Sequence, residues 1–261
     1  MRNASLVVVG TGIKFLSHIT VETSAYVKQS DKVLYLVNEP AIKQWIVNNH
    51  KCAESLEFLY AKYPLRKDCY DAIRDYILEI LRKMQHVCVV FYGHPAVFSK
   101  PALEAVKVAK SEGFYAKILP GISAEDCLFA DLLIDPGSSG CYSFEATDFL
   151  FYKRKFDVRG HLILWQVDVI GIFTNPLVCN DKKGVKLLVK YLCNYYPPNH
   201  TVFLYEAAQY PGMEFSVKSM NLIDLPAAVF SKISTLYVPP INDNSYDDDF
   251  IKAMALNIDH L

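Results

Sequence analysis

The feature that most restricts the fold is an alternation in the first half of the chain. Apolar, strand-like runs at 5–9, 32–37, 87–91 and 115–119 are separated by helical patterns near 20–29, at 40–48, at 65–84 and at 101–112. This βαβα order predicts an α/β fold with a mostly parallel sheet and helices on both faces. Ligands of such sheets sit beyond the carboxyl ends of the strands. "FYGHPAVFSKP" (91–101) stands at such an end, bringing Tyr92, Gly93, His94 and Pro95 to one place.

"LPGIS" (119–123) breaks the alternation. Beyond it we expect a helix at 123–133, strands near 141–145, 161–167, 201–207 and 233–238, and a helix at 181–194. The prolines of "YYPPNH" (195–200) end that last helix. Hairpin-like and helical signals mix here, so this sheet is expected to be mixed. The expected units are 1–120, 121–240 and an acidic, turn-rich tail at 241–261 in which 250–258 can form a short docked helix.

With 261 residues the chain can bury a substantial core. A net charge of −1 argues against a nucleic-acid or membrane-surface role driven by bulk charge. The first apolar run is too short for a signal peptide, and no stretch is long and apolar enough for a membrane span, so a cytoplasmic protein is expected. The seven cysteines (52, 69, 88, 127, 141, 179 and 193) form no CxxC and no Cys/His cluster. They read as reduced thiols filling core space, and no metal is expected.

"VVVGTGIKF" (7–15) lets the backbone approach a ligand at Gly10 and Gly12, but Phe15 stands where a third glycine would complete a dinucleotide fingerprint. A plain tight turn and another nucleotide-like ligand both remain open, and Glu39 could imitate a ribose-binding acid. In the pattern at 65–84 the apolar stripe Ile73, Tyr76, Ile77, Ile80, Leu81 and Met84 extends backward to Tyr70 and Arg66, one turn apart on one face. A guanidinium beside a phenol favours the phenolate, which makes the pair a candidate base; alternatively Arg66 escapes to solvent and Tyr70 is core edge. Ser123 and Asp126 have capping-box spacing. His94 alone fits a turn as well as a catalyst. Gln166, inside the apolar run "LWQV", needs hydrogen-bond partners. Ala207 and Ser234-Thr235 stand at two later strand ends.

Taken together, VGTG, YGHP, PGISAEDCLFADLLIDPGSSG, the WQ strand, YEAA and STLYVPP resemble the tetrapyrrole-methylase superfamily of S-adenosylmethionine (SAM) enzymes. Within it the chain is most similar to the borosin peptide backbone α-N-methyltransferases, from about residue 5 to 240. The resemblance implies two α/β domains with SAM between them, S-adenosyl-L-homocysteine as product, and N-methylation of backbone amides in a ribosomal precursor peptide. It assigns catalytic roles to Arg66, Tyr70, Tyr92 and Tyr60, with Tyr92 touching both substrate and SAM. It assigns SAM contacts to Tyr92, His94, Val97, Ala124, Gln166, Ala207, Ser234 and Thr235. It also implies an interlocked homodimer. Ala96 stands where YGHPG is usual, and the tail is acidic rather than a row of small apolar residues. We therefore expect the bacterial split type, which takes a separate precursor in trans as a heterotetramer with two precursor chains. Two rivals share the fold: a tetrapyrrole or other small-molecule methyltransferase, and a SAM-binding regulatory subunit without turnover.

Overall fold

The computed structural model describes residues 4–174, 182–241 and 247–255. The first sheet comprises β1 (Ser5–Gly10), β2 (Lys32–Leu36), β3 (Ala53–Ser55), β4 (His86–Phe91) and β5 (Tyr115–Ile118). Its order is β3-β2-β4-β1-β5, and every pairing is parallel. Alternate side chains of each strand leave on opposite faces. Leu6, Val8, Leu34, Val87 and Val89 pack against Ile73, Ile77 and Leu81 of α4 (Arg66–Lys83) and against Ala102 and Ala105 of α5 (Lys100–Ser111). Val7, Val9, Val33, Cys88 and Val90 face Val27 of α1 (Val21–Gln29) and Ile42 and Ile46 of α2 (Pro40–Asn49). Both faces are thus covered by helices, as the alternation predicts.

The second sheet contains β6 (Cys141–Glu145), β7 (His161–Trp165), β8 (Thr201–Glu206), β9 (Ser216–Asn221) and β10 (Thr235–Val238), in the order β6-β7-β10-β8-β9. Only β6 and β7 run parallel, so the sheet is mixed as expected. One face packs Leu162, Leu164, Leu204 and Leu236 against α8 (Ala146–Phe151) and α9 (Lys183–Leu192). The other face carries Ile163, Trp165, Tyr205 and Tyr237. It packs on Leu128 of α6 (Ala124–Asp131) and on Ile13, just beyond β1, which joins the two sheets through one apolar layer. α6 opens with the predicted capping box: Ser123 Oγ accepts from the Asp126 amide, and Asp126 accepts from the Ser123 amide.

Several elements differ from expectation. β3 and the short α3 (Phe58–Lys62) carry too little apolar pattern to be read; β3 exists through its pairing to β2. β9 is a polar, largely exposed edge strand held by its backbone ladder to β8. α8 and α7 (Pro136–Ser139) are single short turns. β7 stops at Trp165 because Gln166 is left-handed, with φ 57°. β10 starts at Thr235 because Ser231 and Ser234 both donate to the Glu206 carboxylate, holding a turn before the strand. The helix expected at 181–194 runs from 183 to 192, with residue 181 outside the described residues. Of the tail, 242–246 and 256–261 lie outside as well; α10 (Asp248–Met254) covers part of the expected 250–258 helix. Six cysteines are free thiols, but Cys52 is exposed rather than core, and Cys179 lies outside the described residues.

The loops after β1 and β4 cross with no room for a side chain at Gly10 or Gly12. Gly12 and Gly93 exchange backbone hydrogen bonds of 3.2 and 3.1 Å, both at positive φ. A Cβ on Gly10 would stand 2.2 Å from the Gly93 carbonyl oxygen and 2.7 Å from Pro95 Cδ. Glycine is required by space at position 10, by space and backbone conformation at 12, where a Cβ would stand 2.2 Å from His18 Cβ, and by backbone conformation at 93. Gly10→Ala is therefore expected to cost about 3 kcal/mol in urea unfolding. Gly113→Ala, at φ +84° with open space around it, should cost only about 1 kcal/mol. Equal losses would contradict this reading of the crossing.

Candidate functional site

Beyond the glycine crossing lies a cavity of about 220 Å³ between the two sheets. Tyr92, Gly93, His94 and Val97 line it from the loop after β4, Ala124 from the first turn of α6, Gln166 from the end of β7, Ala207 from the end of β8, and Ser234 and Thr235 from the start of β10. All eight residues expected to touch the cofactor therefore converge on one space. His94 Nδ1 accepts from the Ala96 amide at 3.0 Å, so the ring also braces its own turn. The Ser234 hydroxyl donates to Glu206 at 2.6 Å, which shapes the loop more than it reaches inward.

Arg66 and Tyr70 share one face of the first turns of α4, but Arg66 does not escape to solvent. The helix begins against the second half of the chain: the Arg66 amide donates to the Phe173 carbonyl at 2.9 Å. Its guanidinium donates to Tyr70 Oη at 3.4 Å, to Gln166 Oε1 at 3.1 Å and to the Ile172 carbonyl at 3.4 Å. The fully buried ridge of the helix is Cys69, Ile73, Ile77 and Leu81, and Tyr70 flanks it, half-buried. Arg66 and Tyr70 line a trough of about 880 Å³ with Phe98, Phe144 and Glu145, and Phe151, Tyr152 and Phe173 are exposed along it. They also line a neighbouring recess of about 350 Å³, which includes Phe98 and Gln166. Gln166 and Phe98 are thus common walls of the recess and the cavity.

Both wall residues are non-glycine residues at positive φ, Phe98 at 51° and Gln166 at 57°. Such conformations cost on the order of 1 kcal/mol or more and concentrate at ligand sites. Phe98 packs on Trp165 at 5.7 Å between ring centres. Phe98, Trp165, Gln209 and Lys232 were not singled out from the sequence, although each adjoins a motif that was. Glu39 does not act as a ribose-binding acid: it is buried, caps α2 by accepting from the Ile42 amide at 2.7 Å, and also accepts from Tyr210 Oη.

The remaining tyrosines occupy different places. Tyr92 lines the cavity but not the trough, and its hydroxyl donates to Gln209 Oε1 at 2.8 Å. Burial pushes its phenol up to about 12, so it is a neutral donor at any physiological pH. Tyr60 sits on α3, half-buried against the first core; burial raises its phenol, with Tyr70 and Cys69 adding and Arg66 opposing. No carboxylate among the described residues lines the cavity.

Residues 5–220 match the family model of tetrapyrrole (corrin/porphyrin) methylases. The chain is 38% identical over 254 residues, 96% of its length, to the methyltransferase/ribosomally synthesized cyclic peptide dendrothelin A precursor of Dendrothele bispora. It is 40% identical over 251 residues, 93% of its length, to the corresponding gymnopeptides precursor of Gymnopus fusipes. It spans 61% and 59% of the lengths of these relatives. In fold it is similar to uroporphyrin-III C-methyl transferase from Thermus thermophilus complexed with S-adenyl homocysteine. That likeness has a TM-score of 0.60 at 14% identity and covers 90% of this chain and 97% of the other. Among the described residues, no helix is long and apolar enough to cross a membrane.

Protonated phenols and thiols packed in and beside the layer between the sheets make the fold sensitive to alkaline pH. Burial pushes Tyr92 and Tyr237 to about 12 and the Cys127 and Cys141 thiols to about 11. An unfolded chain loses these protons near pH 10 for phenols and about 8.5 for thiols, so above those values the folded state holds more protons. Stability from these groups is fully present below about pH 8 and is lost as pH rises toward 12. The urea midpoint should fall steadily from about pH 9 to 11; a constant midpoint there would contradict their burial.

Proposed function

Because the chain belongs to the tetrapyrrole (corrin/porphyrin) methylase family, we propose that the cavity holds SAM and that the trough beside it receives a peptide whose backbone amides are N-methylated. One observation carries this reading: a single guanidinium, on Arg66, touches both a phenol that faces the trough and the amide that walls the cavity. The names of the relatives, which join a methyltransferase to a cyclic-peptide precursor, support a peptide as substrate.

The residues present fit the cofactor. Gly93 at φ +69° leaves the loop backbone free to approach a ligand. Val97, Ile13 and Trp165 give apolar walls for a ring system, and Gln166, Thr235 and Lys232 bring polar groups to the same space. We assign SAM binding to Tyr92, His94, Val97, Ala124, Gln166, Ala207, Ser234 and Thr235. Bound SAM supplies an electrophilic methyl group on a sulfonium.

An amide nitrogen is a weak nucleophile because its lone pair is delocalised into the carbonyl. Tyr70, in its phenolate form, takes the N–H proton directly or through water. The Arg66 cation faces the same oxygen and balances its charge. As negative charge moves onto the peptide oxygen, neutral phenols stabilise it by donating hydrogen bonds. We assign that role to Tyr92, which would give up its Gln209 partner and reach the substrate from the cavity side, and a supporting role to Tyr60, which packs with Tyr70 against the first core. Gln166 holds Arg66 at the boundary, so both reactants meet at a fixed place. We assign the substrate to a precursor supplied in trans, and the working assembly to a homodimer with two precursor chains.

The test uses a separate polypeptide made of the part of the Dendrothele bispora relative outside the matched region. Incubated with SAM and the protein, it should gain mass in steps of one methylene. Tyr70→Phe should lower the rate at least about a hundredfold while SAM binding, by calorimetry, is unchanged. Full activity in that variant would remove Tyr70 from the mechanism. S-adenosylhomocysteine formation without mass gain on the polypeptide would contradict the peptide reading.

A further inference from the structure

Three described side chains bury a polar atom with no hydrogen-bond partner: Ser99 Oγ, Glu145 Oε1 and Tyr196 Oη. Such atoms are rare in folded proteins and costly. Tyr196 belongs to the core beneath the second sheet. Ser99 and Glu145 both line the recess of about 350 Å³ that also contains Arg66 and Tyr70.

The local structure explains neither orphan. Ser99 stands at the N-cap of α5, where a serine hydroxyl ordinarily accepts from the first turn, yet it makes no such bond. Glu145 ends β6 and caps α8, and its Oε2 alone does that work, accepting from the Asp148 amide at 2.7 Å. It lies in register with Trp165 on the parallel neighbour β7, one residue before Gln166, at the carboxyl ends where ligands of parallel strands gather. One orphan comes from each half of the chain; each belongs to a residue that lines the recess beside Tyr70, and a turn of each side chain brings its atom to the recess surface.

We propose that Ser99 and Glu145 clamp one peptide unit of the substrate next to the amide being methylated; this rests on the peptide reading above. A peptide unit offers one N–H donor and one carbonyl acceptor. A carboxylate oxygen can only accept, and a hydroxyl can donate, so Glu145 Oε1 takes the N–H and Ser99 Oγ donates to the carbonyl. Both partners then lose their unsatisfied state only when a peptide is present. A unit already methylated on nitrogen has no proton for Glu145, so the clamp prefers unmodified peptide and releases modified units. Both are positioning and specificity residues rather than catalytic ones.

The variants separate binding from folding. Glu145→Gln keeps an oxygen to cap α8 but turns a donor toward the substrate, and Ser99→Ala removes a hydroxyl that bonds nothing in the free protein. With the Dendrothele bispora polypeptide as probe, Glu145→Gln should raise KM roughly tenfold or more, and Ser99→Ala about threefold to tenfold. In both, kcat should change less than KM and SAM affinity should be unchanged. The Tm of Ser99→Ala should stay level or rise, since an unsatisfied buried hydroxyl is lost; a structural role would lower it. Wild-type KM in both variants, or a lowered Tm with parallel loss of SAM binding, would overturn the clamp. If the wild-type protein leaves the polypeptide unmethylated, the peptide reading itself fails, which is a distinguishable result.

Discussion

Where the cavity meets the trough, one guanidinium ties the two halves of this molecule together. Arg66 opens α4 in the first half, yet its amide and three of its side-chain contacts place it among Phe173, Ile172, Gln166 and Tyr70. A planar, permanently charged fork can hold several acceptors in fixed directions, which a lysine cannot. Because Gln166 walls the cavity and Tyr70 faces the trough, the position of Arg66 fixes the boundary between the two spaces that we propose for cofactor and substrate. Gln166 accepts this contact from a left-handed backbone, so strain at the end of β7 is part of the same arrangement.

A second constraint lies beneath it. The crossing of Gly10, Gly12 and Gly93 brings the ends of β1 and β4 into backbone contact and sets Tyr92 and His94 at the cavity wall. This answers why an aromatic, a glycine, a histidine and a proline follow an apolar strand. Gly93 supplies the turn, His94 braces it through the Ala96 amide, and Pro95 fills the space that a Gly10 side chain would take.

The parallel half was legible in the sequence because burial on both faces makes its strands continuous apolar runs and its helices strongly periodic. β3 and β9 were not, since their stability comes from backbone ladders to β2 and β8 rather than from side chains. Strand ends and an amide inside an apolar run point to Tyr92, His94, Gln166, Ala207, Ser234 and Thr235, and the family resemblance adds Val97 and Ala124 and joins all eight into one cofactor site; periodicity reaches only Arg66 and Tyr70, and leaves open which way Arg66 turns. Phe98 and Trp165 escaped because an aromatic beside a motif looks like ordinary core. Glu39 misled because an acid at the end of a second strand has the same address whether it binds ribose or caps the next helix. Ser99 and Glu145 are invisible to any sequence pattern, because an unsatisfied atom is defined by what the folded chain fails to bring near it.

The central claim is that the Arg66–Tyr70 pair stands at the boundary between a SAM site and a peptide trough. The most direct measurement is a crystal structure of the protein soaked with S-adenosylhomocysteine. It should show the nucleoside in the cavity walled by Tyr92, Gln166, Ala207 and Thr235, with the sulfur directed toward Tyr70. Density for the ligand elsewhere, or a sulfur turned away from that phenol, would contradict the account.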